Sequence, residues 1–251
     1  MIVIHIDSQK DTSFLTKCYE GIDAKVFVNP TREEVEKVLT ENPNEKVMML
    51  GHGSSYGLFS FDWKGDVIDR RNAHLLKDRE CIGIWCYASD FARKEGLKGY
   101  FTSMFISNEG ESQTFRHNAT EKEVFDEVAI FAERVNTLIK NETPLDEWVG
   151  ILQGQADYTK SFVKFNYSAM EYLDGTQEVV ADDRSWWSGN VRQLDIEEFG
   201  FDTEGDDMMD LCFEEYCAEN GIEGYWAREM AYPIFKAGWN ARKDYENGFN
   251  A

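Results

Sequence analysis

The sequence has few basic residues for its size, and this deficit excludes one broad class of function. Its 251 residues include 26 Lys and Arg against 47 Asp and Glu, for a formal net charge of −21. A general nucleic-acid-binding protein needs basic patches that displace counterions from phosphates. We therefore expect no direct nucleic-acid binding, and the charge is compatible with a basic partner or substrate.

Metal-ligand patterns and long apolar runs are also missing. The five cysteines have no zinc-ligand spacing and leave one over if the others pair: Cys18, Cys81, Cys86, Cys212 and Cys217. The opening MIVIHIDSQK is too short and too polar for a secretory segment, and no apolar run approaches membrane-spanning length. A Gly-rich phosphate loop is absent as well. We expect a reduced, cytoplasmic protein that contacts no membrane and needs no metal or cofactor.

Apolar strands alternate with helical segments in the first part of the chain. Residues 2–6, 24–28 and 46–51 are short apolar runs, and Thr31 with Glu34 forms a capping box for the helix that precedes the third run. This alternation is typical of a parallel sheet with right-handed crossovers. We predict an α/β fold over residues 1–175, with a mostly parallel sheet flanked by helices.

Further elements follow the third strand. The segment GLFSFDWKGDVID alternates around Lys64-Gly65 and predicts a β-hairpin. The runs CIGIWC and YFTSMFIS, the latter over residues 100–107, are predicted as the fourth and fifth strands. Residues 121–140 predict a long amphipathic helix, and Asp11 is the expected N-cap of a helix near residues 12–20.

The last 76 residues differ in composition. Residues 176–251 contain 18 acidic and six basic residues, a net charge of −12. We predict an acidic, mainly helical C-terminal region there, separate from the sheet domain. Its segment AYPIFKAGWNARKDYENGF resembles a terminal motif of small phage-encoded proteins, which would place the protein in the host cytoplasm.

Two reactive side chains follow consecutive core strands. His52 ends the run KVMMLGH, and Cys86 ends CIGIWC. The carboxyl ends of parallel strands converge on one crevice, so an imidazole and a thiol there could form a base and nucleophile pair. Gly53 would allow a sharp turn and leave an N–H for an oxyanion, and the helix starting at Ala88 would lower the thiol pKa. Alternatively, His52 is the polar end of a turn and Cys86 a core residue.

These blocks resemble the caspase-like cysteine peptidases, and the hairpin between them is most similar to the CHAT branch. The resemblance covers about residues 1–112. It implies that Cys86 is the nucleophile, that His52 is the base, and that the N–H groups of Gly53 and Cys86 form an oxyanion hole. The sequence departs from the pattern at Trp85, where a small residue is usual, and at Tyr87 and Ala88, which replace small or Gly positions.

Four further residues are candidates for the site. Asp7 ends the first strand and could orient His52, as the third member of a triad does, or it is a solvated loop residue. Glu109 and Glu111 follow the fifth strand and, if they face the crevice, would favour a substrate with Lys or Arg at P1. Trp85 could fill the substrate pocket. His5 alternates with apolar residues and is expected to be a satisfied core histidine.

The sequence therefore favours a cysteine endopeptidase that acts on a protein or peptide through an acyl-enzyme. Two alternatives stay open. One is a catalytically inactive protein of the same fold that binds a partner, which Trp85 favours. The other is an acidic binding protein, such as a phage inhibitor of a host defence or a nucleic-acid mimic. The oligomeric state does not follow from the sequence.

Overall fold

The structure is a computed structural model that describes residues 1–8, 12–62 and 65–176. Its strands are β1 (Ile2–His5), β2 (Lys25–Val28), β3 (Val47–Leu50), β4 (Gly53–Ser54), β5 (Gly57–Phe59), β6 (Asp66–Asp69), β7 (Glu80–Ile84), β8 (Lys98–Phe101) and β9 (Glu171–Asp174). Its α-helices are α1 (Arg32–Glu41), α2 (Ala88–Glu95), α3 (Glu109–Thr114), α4 (Glu121–Lys140), α5 (Leu145–Gly154) and α6 (Ser161–Ser168). Two 3-10 helices cover Ser13–Tyr19 and Ala73–Leu76.

Six strands form the central sheet, in the order β2-β1-β3-β7-β8-β9. Strands β1, β2, β3, β7 and β8 all run parallel to one another, and the edge strand β9 pairs antiparallel with β8. The predicted α/β class, with a mostly parallel sheet flanked by helices, is confirmed. The predicted C-terminal region and its helices lie outside the described residues from 177 onwards, as does the expected N-cap Asp11.

The strands β1, β3, β7 and β8 are buried on both faces, which explains why they are nearly continuous apolar runs. Val3, Met48 and Ile82 point into a core shared with α4, α5 and α6. Their neighbours along the strands point to the other side, where α1, α2 and the small strands cover them. Alternation along each strand therefore divides the apolar residues between two cores.

The helix ends follow from local sequence signals and one long-range contact. The predicted capping box of Thr31 and Glu34 is confirmed at the start of α1, and Thr120 forms the same motif with Glu123 at α4. At the other end of α1, the Arg79 guanidinium donates to the carbonyls of Asn42 (3.0 Å) and Leu39 (3.2 Å). This side chain, from just before β7, satisfies carbonyls that the helix cannot.

The predicted fifth strand over residues 100–107 is wrong in its bounds. The strand is β8, Lys98–Phe101, and the chain leaves the sheet at Thr102. Met104, Phe105 and Ile106 are apolar because they are buried in a loop under the helices. A continuous apolar run reports burial and does not distinguish a strand from a buried loop. Three further elements, α3, α6 and β9, have no counterpart among the elements predicted from the sequence.

A second, three-stranded antiparallel sheet of β4, β5 and β6 follows His52. The predicted hairpin is confirmed in β5 and β6, although Lys64 itself lies outside the described residues. Asp69, at the end of β6, accepts hydrogen bonds from Arg32 of α1 (Nη1–Oδ1, 2.9 Å) and from Arg71 (Nε–Oδ2, 2.9 Å). These contacts join the small sheet to a helix of the main sheet.

The Asp69 carboxylate is buried, and its two arginine partners compensate for that burial. Burial raises its pKa, but the hydrogen bonds from Arg32 and Arg71 outweigh this effect and hold the pKa well below its usual range. A lowered pKa in the folded state means that the ionised group stabilises the fold above its ordinary pKa. This stabilisation is lost as the pH falls from the ordinary pKa of an aspartate through the lowered pKa of Asp69.

We expect Asp69→Asn to lower the free energy of unfolding by about 2 kcal/mol at neutral pH, because two charge-assisted hydrogen bonds are weakened. Urea unfolding measures the change. The matched control is Asp126→Asn, which removes the exposed pair of Asp126 with Lys122 in α4 and should cost less than about 0.5 kcal/mol. The difference between Asp69→Asn and the wild type should shrink below about pH 4; a constant difference down to pH 2 would contradict it.

Candidate functional site

The register of β3 with β7 determines where His52 and Cys86 stand. These strands pair in parallel, with Leu50 opposite Ile84, and the Gly51 N–H donates to the Ile84 carbonyl at 3.2 Å. His52 and Cys86 each follow their paired residue by two positions. Because side chains alternate along the chain, both continue the same face of the sheet at its carboxyl edge.

His52 and Cys86 line one small cavity. Its volume is about 20 Å³, and Thr12, Leu15, Phe105 and Ser107 are among the other residues around it. This volume accommodates about one water molecule. The Cys86 thiol donates to the carbonyl of Phe105, with an Sγ–O distance of 3.8 Å. The structure therefore places the two candidate catalytic side chains on the lining of one small cavity.

Both side chains are neutral at physiological pH. Burial lowers the pKa of His52 to about 4, so its imidazole is uncharged and able to accept a proton. Burial and, to a smaller extent, the negative charge of the nearby Glu111 raise the pKa of Cys86 to about 12. The pair is thus a thiol and a neutral imidazole, with no preformed ion pair.

The expected effect of the following helix on the thiol is wrong. The chain after Cys86 does turn into α2 at Ala88. Burial and the Glu111 charge nevertheless outweigh any stabilisation of the thiolate by the helix dipole, because the net shift of the Cys86 pKa is upward. Desolvation penalises the charged form of a thiol more than one helix of eight residues favours it.

The turn between Cys86 and α2 has a backbone conformation that favours glycine. Tyr87, the N-cap of α2, has φ +66° and ψ +26°, in the left-handed region. Residues with a Cβ adopt this region at a cost of about 1–3 kcal/mol and persist there where the surroundings fix them. The site therefore has a glycine-like turn directly after the candidate nucleophile, even though the residue is a tyrosine.

Gly53 is required by the packing of Trp85. A Cβ at Gly53 would lie 2.2 Å from Cδ1 of Trp85 and 2.5 Å from the Gly57 carbonyl oxygen. The Trp85 side chain is 2% exposed, packs in the core on the opposite face from Ile84, and donates from Nε1 to the Ser54 carbonyl at 3.2 Å. Trp85 also borders the cavity, and its indole anchors the small sheet through the Ser54 hydrogen bond.

Asp7 lies near His5. Its charge raises the pKa of His5, whose pKa burial lowers more strongly. The prediction for His5 is confirmed: it is fully buried, its Nδ1 lies 2.9 Å from the Tyr19 hydroxyl, and its Nε2 lies 3.1 Å from the Thr12 carbonyl. The Asp7 N–H, in turn, donates to Oδ1 of Asn29 at 2.8 Å.

Of the two candidate acids, Glu111 hydrogen-bonds to Ser107, which lines the cavity. It is 9% exposed, and its Oε2 accepts from the Ser107 N–H (2.7 Å) and hydroxyl (3.1 Å). Its charge reaches Cys86, as the pKa of that thiol shows. Glu109 is half-buried at the start of α3, and its Oε1 accepts from the Gln113 amide at 3.1 Å.

Two positions at the site were not found by sequence reasoning. Thr102 is fully buried and donates from Oγ1 to the Trp85 carbonyl at 2.9 Å. Asn166 of α6 accepts from the Ile106 N–H (2.7 Å) and donates to the Ile106 carbonyl (2.9 Å), which holds the segment between Phe105 and Ser107. Asn166 is 60 residues from Ile106. A lone buried Thr or Asn has no sequence pattern that reports such a contact.

The part of the chain that the structure describes contains no cluster of three or more His, Cys, Asp or Glu side chains that could hold a metal ion. Within the same ranges, no helix combines the length and the apolar character needed to cross a bilayer. No protein-family model matches the chain, and no curated protein matches it.

We expect Gly53→Ala to destabilise the protein by about 1–3 kcal/mol or more, because the new methyl group overlaps Trp85. The matched control is Gly150→Ala in α5, where a Cβ meets no atom within 4 Å and the helix gains up to about 1 kcal/mol. Thermal unfolding distinguishes them. Equal transition temperatures for the two variants would show that Trp85 moves aside without cost.

The rate at which iodoacetamide alkylates Cys86 should rise through pH 6–10 without a plateau, because its pKa is about 12. Glu111→Gln should increase that rate at pH 8 by roughly three- to tenfold, since it removes a negative charge and keeps an acceptor for Ser107. The control, Glu109→Gln, should leave the rate unchanged. Mass spectrometry of the Cys86 peptide measures each rate, and a plateau near pH 7 would indicate an ion pair with His52 instead.

Proposed function

We propose that the protein is a cysteine endopeptidase of caspase-like fold, in which Cys86 is the nucleophile and His52 the general base. The observation that supports this most directly is the position of the two side chains. Each stands two residues past the paired ends of neighbouring parallel strands, and both line one cavity. A thiol beside a base at this edge is the arrangement that acyl transfer requires.

Strand order and the position of the small sheet support the caspase-like fold. His52 follows the third strand of the central sheet along the chain, and Cys86 follows the fourth. The three-stranded antiparallel sheet lies between them in sequence, where the CHAT-like resemblance places a hairpin. Fold resemblance alone does not establish activity, so the proposal depends on the two side chains.

The chemistry follows from the protonation states. The neutral His52 imidazole accepts the proton of the Cys86 thiol as the sulfur attacks the peptide carbonyl carbon. The oxygen of the tetrahedral intermediate accepts hydrogen bonds from the N–H groups of Gly53 and Cys86. The C–N bond then breaks, His52 passes its proton to the leaving amine, and water hydrolyses the resulting thioester. No cofactor takes part.

Glu111 favours a basic side chain at P1. Its charge acts on Cys86 and contributes to the raised pKa of that thiol. A Lys or Arg side chain there would compensate this negative charge, and the net charge of −21 favours the approach of basic substrates. Glu109, at the start of the same helix, is half-buried and would act at longer range.

A second candidate function is partner binding by a catalytically inactive protein of this fold. The cavity of about 20 Å³ favours it, because a peptide cannot enter that space unless the site opens. The high thiol pKa points the same way, since little thiolate forms at neutral pH. Cleavage assays distinguish the two functions.

We expect the full chain to cleave a mixture of synthetic peptides after Lys or Arg, with cut sites mapped by mass spectrometry. Cys86→Ala and His52→Ala should each abolish cleavage, because each removes one member of the pair. The matched control is Cys81→Ala, which removes a fully buried thiol five residues away on the opposite face. Persistent cleavage by Cys86→Ala, or none by the wild type, would refute the peptidase proposal.

A further inference from the structure

Thr102 holds the backbone on both sides of Cys86. It is fully buried directly after β8. Its N–H donates to the Gly83 carbonyl at 3.0 Å, and its carbonyl accepts from the Ser89 N–H at 2.9 Å. Its hydroxyl donates to the Trp85 carbonyl at 2.9 Å. One residue thus connects the end of β7, the Cys86 turn and the first turn of α2.

The Trp85 carbonyl and the Cys86 N–H belong to the same peptide group. That group is planar, so whatever orients the carbonyl also orients the N–H. The Trp85 carbonyl accepts two hydrogen bonds, from the Thr102 hydroxyl and from the Ala88 N–H at 3.2 Å. The second of these bonds belongs to the turn itself, whereas the first comes from the residue directly after β8, which neighbours β7 in the sheet.

We propose that Thr102 is a positioning residue that orients the Cys86 N–H as an oxyanion donor. This inference rests on the proposed function, because it gives that N–H a catalytic task. A preorganised donor costs no reorganisation when charge develops on the substrate oxygen. The Thr102 hydroxyl supplies this preorganisation without touching substrate. It fixes the peptide group from outside the turn, in addition to the hydrogen bond within the turn from the Ala88 N–H.

A peptide aldehyde with arginine at P1 separates this role from simple thiol reactivity. In its addition, the Cys86 sulfur bonds to the aldehyde carbon and the carbonyl π pair moves to oxygen. The thiol proton passes to His52, and nothing is oxidised or reduced. The adduct has an oxyanion that the Cys86 N–H stabilises, whereas alkylation by iodoacetamide displaces iodide and forms no oxyanion.

Two variants of nearly equal size isolate the hydroxyl. Thr102→Val keeps the branched shape and loses the donor, and Thr102→Ser keeps the donor and loses a methyl group. We expect Thr102→Val to weaken aldehyde binding roughly tenfold while its iodoacetamide rate stays within about twofold of the wild type. Thr102→Ser should bind the aldehyde within about twofold of the wild type. If Thr102→Val does not fold, Thr102→Ala removes the same hydroxyl.

The outcomes are distinguishable. Wild-type aldehyde affinity in the valine variant would overturn the role of Thr102 and leave the peptidase proposal standing. Equal losses in aldehyde binding and alkylation would also overturn it, since they indicate general damage to the site. A wild type that binds no aldehyde, or binds it equally well after Cys86→Ala, would refute the proposed function and this inference with it.

Discussion

Leu50 of β3 lies opposite Ile84 of β7, and the site depends on this parallel register. A shift of one residue would turn either His52 or Cys86 to the opposite face of the sheet, because side chains alternate along a strand. Burial on both faces holds the register in place, since Val47 to Leu50, together with Cys81, Ile82 and Ile84, pack into one core or the other. The apolar packing of the sheet therefore decides which reactive groups meet.

Around this edge, the backbone is held mainly by buried polar side chains from distant parts of the chain. Thr102 holds the turn that carries Cys86, and Asn166 holds the loop whose Phe105 carbonyl accepts from the thiol. Asn166 pairs with the buried N–H and carbonyl of Ile106, and Thr102 adds a second hydrogen bond to the Trp85 carbonyl. A buried backbone group without a partner costs about as much as a lost hydrogen bond. Polar residues in the core thus define the shape of the site, while the apolar residues define its location.

Burial also keeps both groups of the site in their neutral forms, so that little reactive thiolate is present. A thiol with a pKa of about 12 and an imidazole with a pKa of about 4 share a space for about one water molecule. Access of solvent would reduce the desolvation of both groups and shift both pKa values towards their ordinary range. An opening of the site that admits water would therefore also make the thiol more reactive.

Local patterns were sufficient for the α/β class, the hairpin of β5 and β6, the capping box at Thr31 and the burial of His5. They depend on spacing and composition within a few residues, which the sequence by itself determines. Tertiary structure alone decided that β8 ends at Phe101, that Trp85 packs against Gly53, that Asp7 lies near His5, and that Thr102 and Asn166 border the site. It also decided the direction of the Cys86 pKa shift. The physical reason is that desolvation and packing depend on atoms brought together from positions far apart in the chain. The residues adjacent to a position in sequence do not indicate which of these distant atoms will surround it.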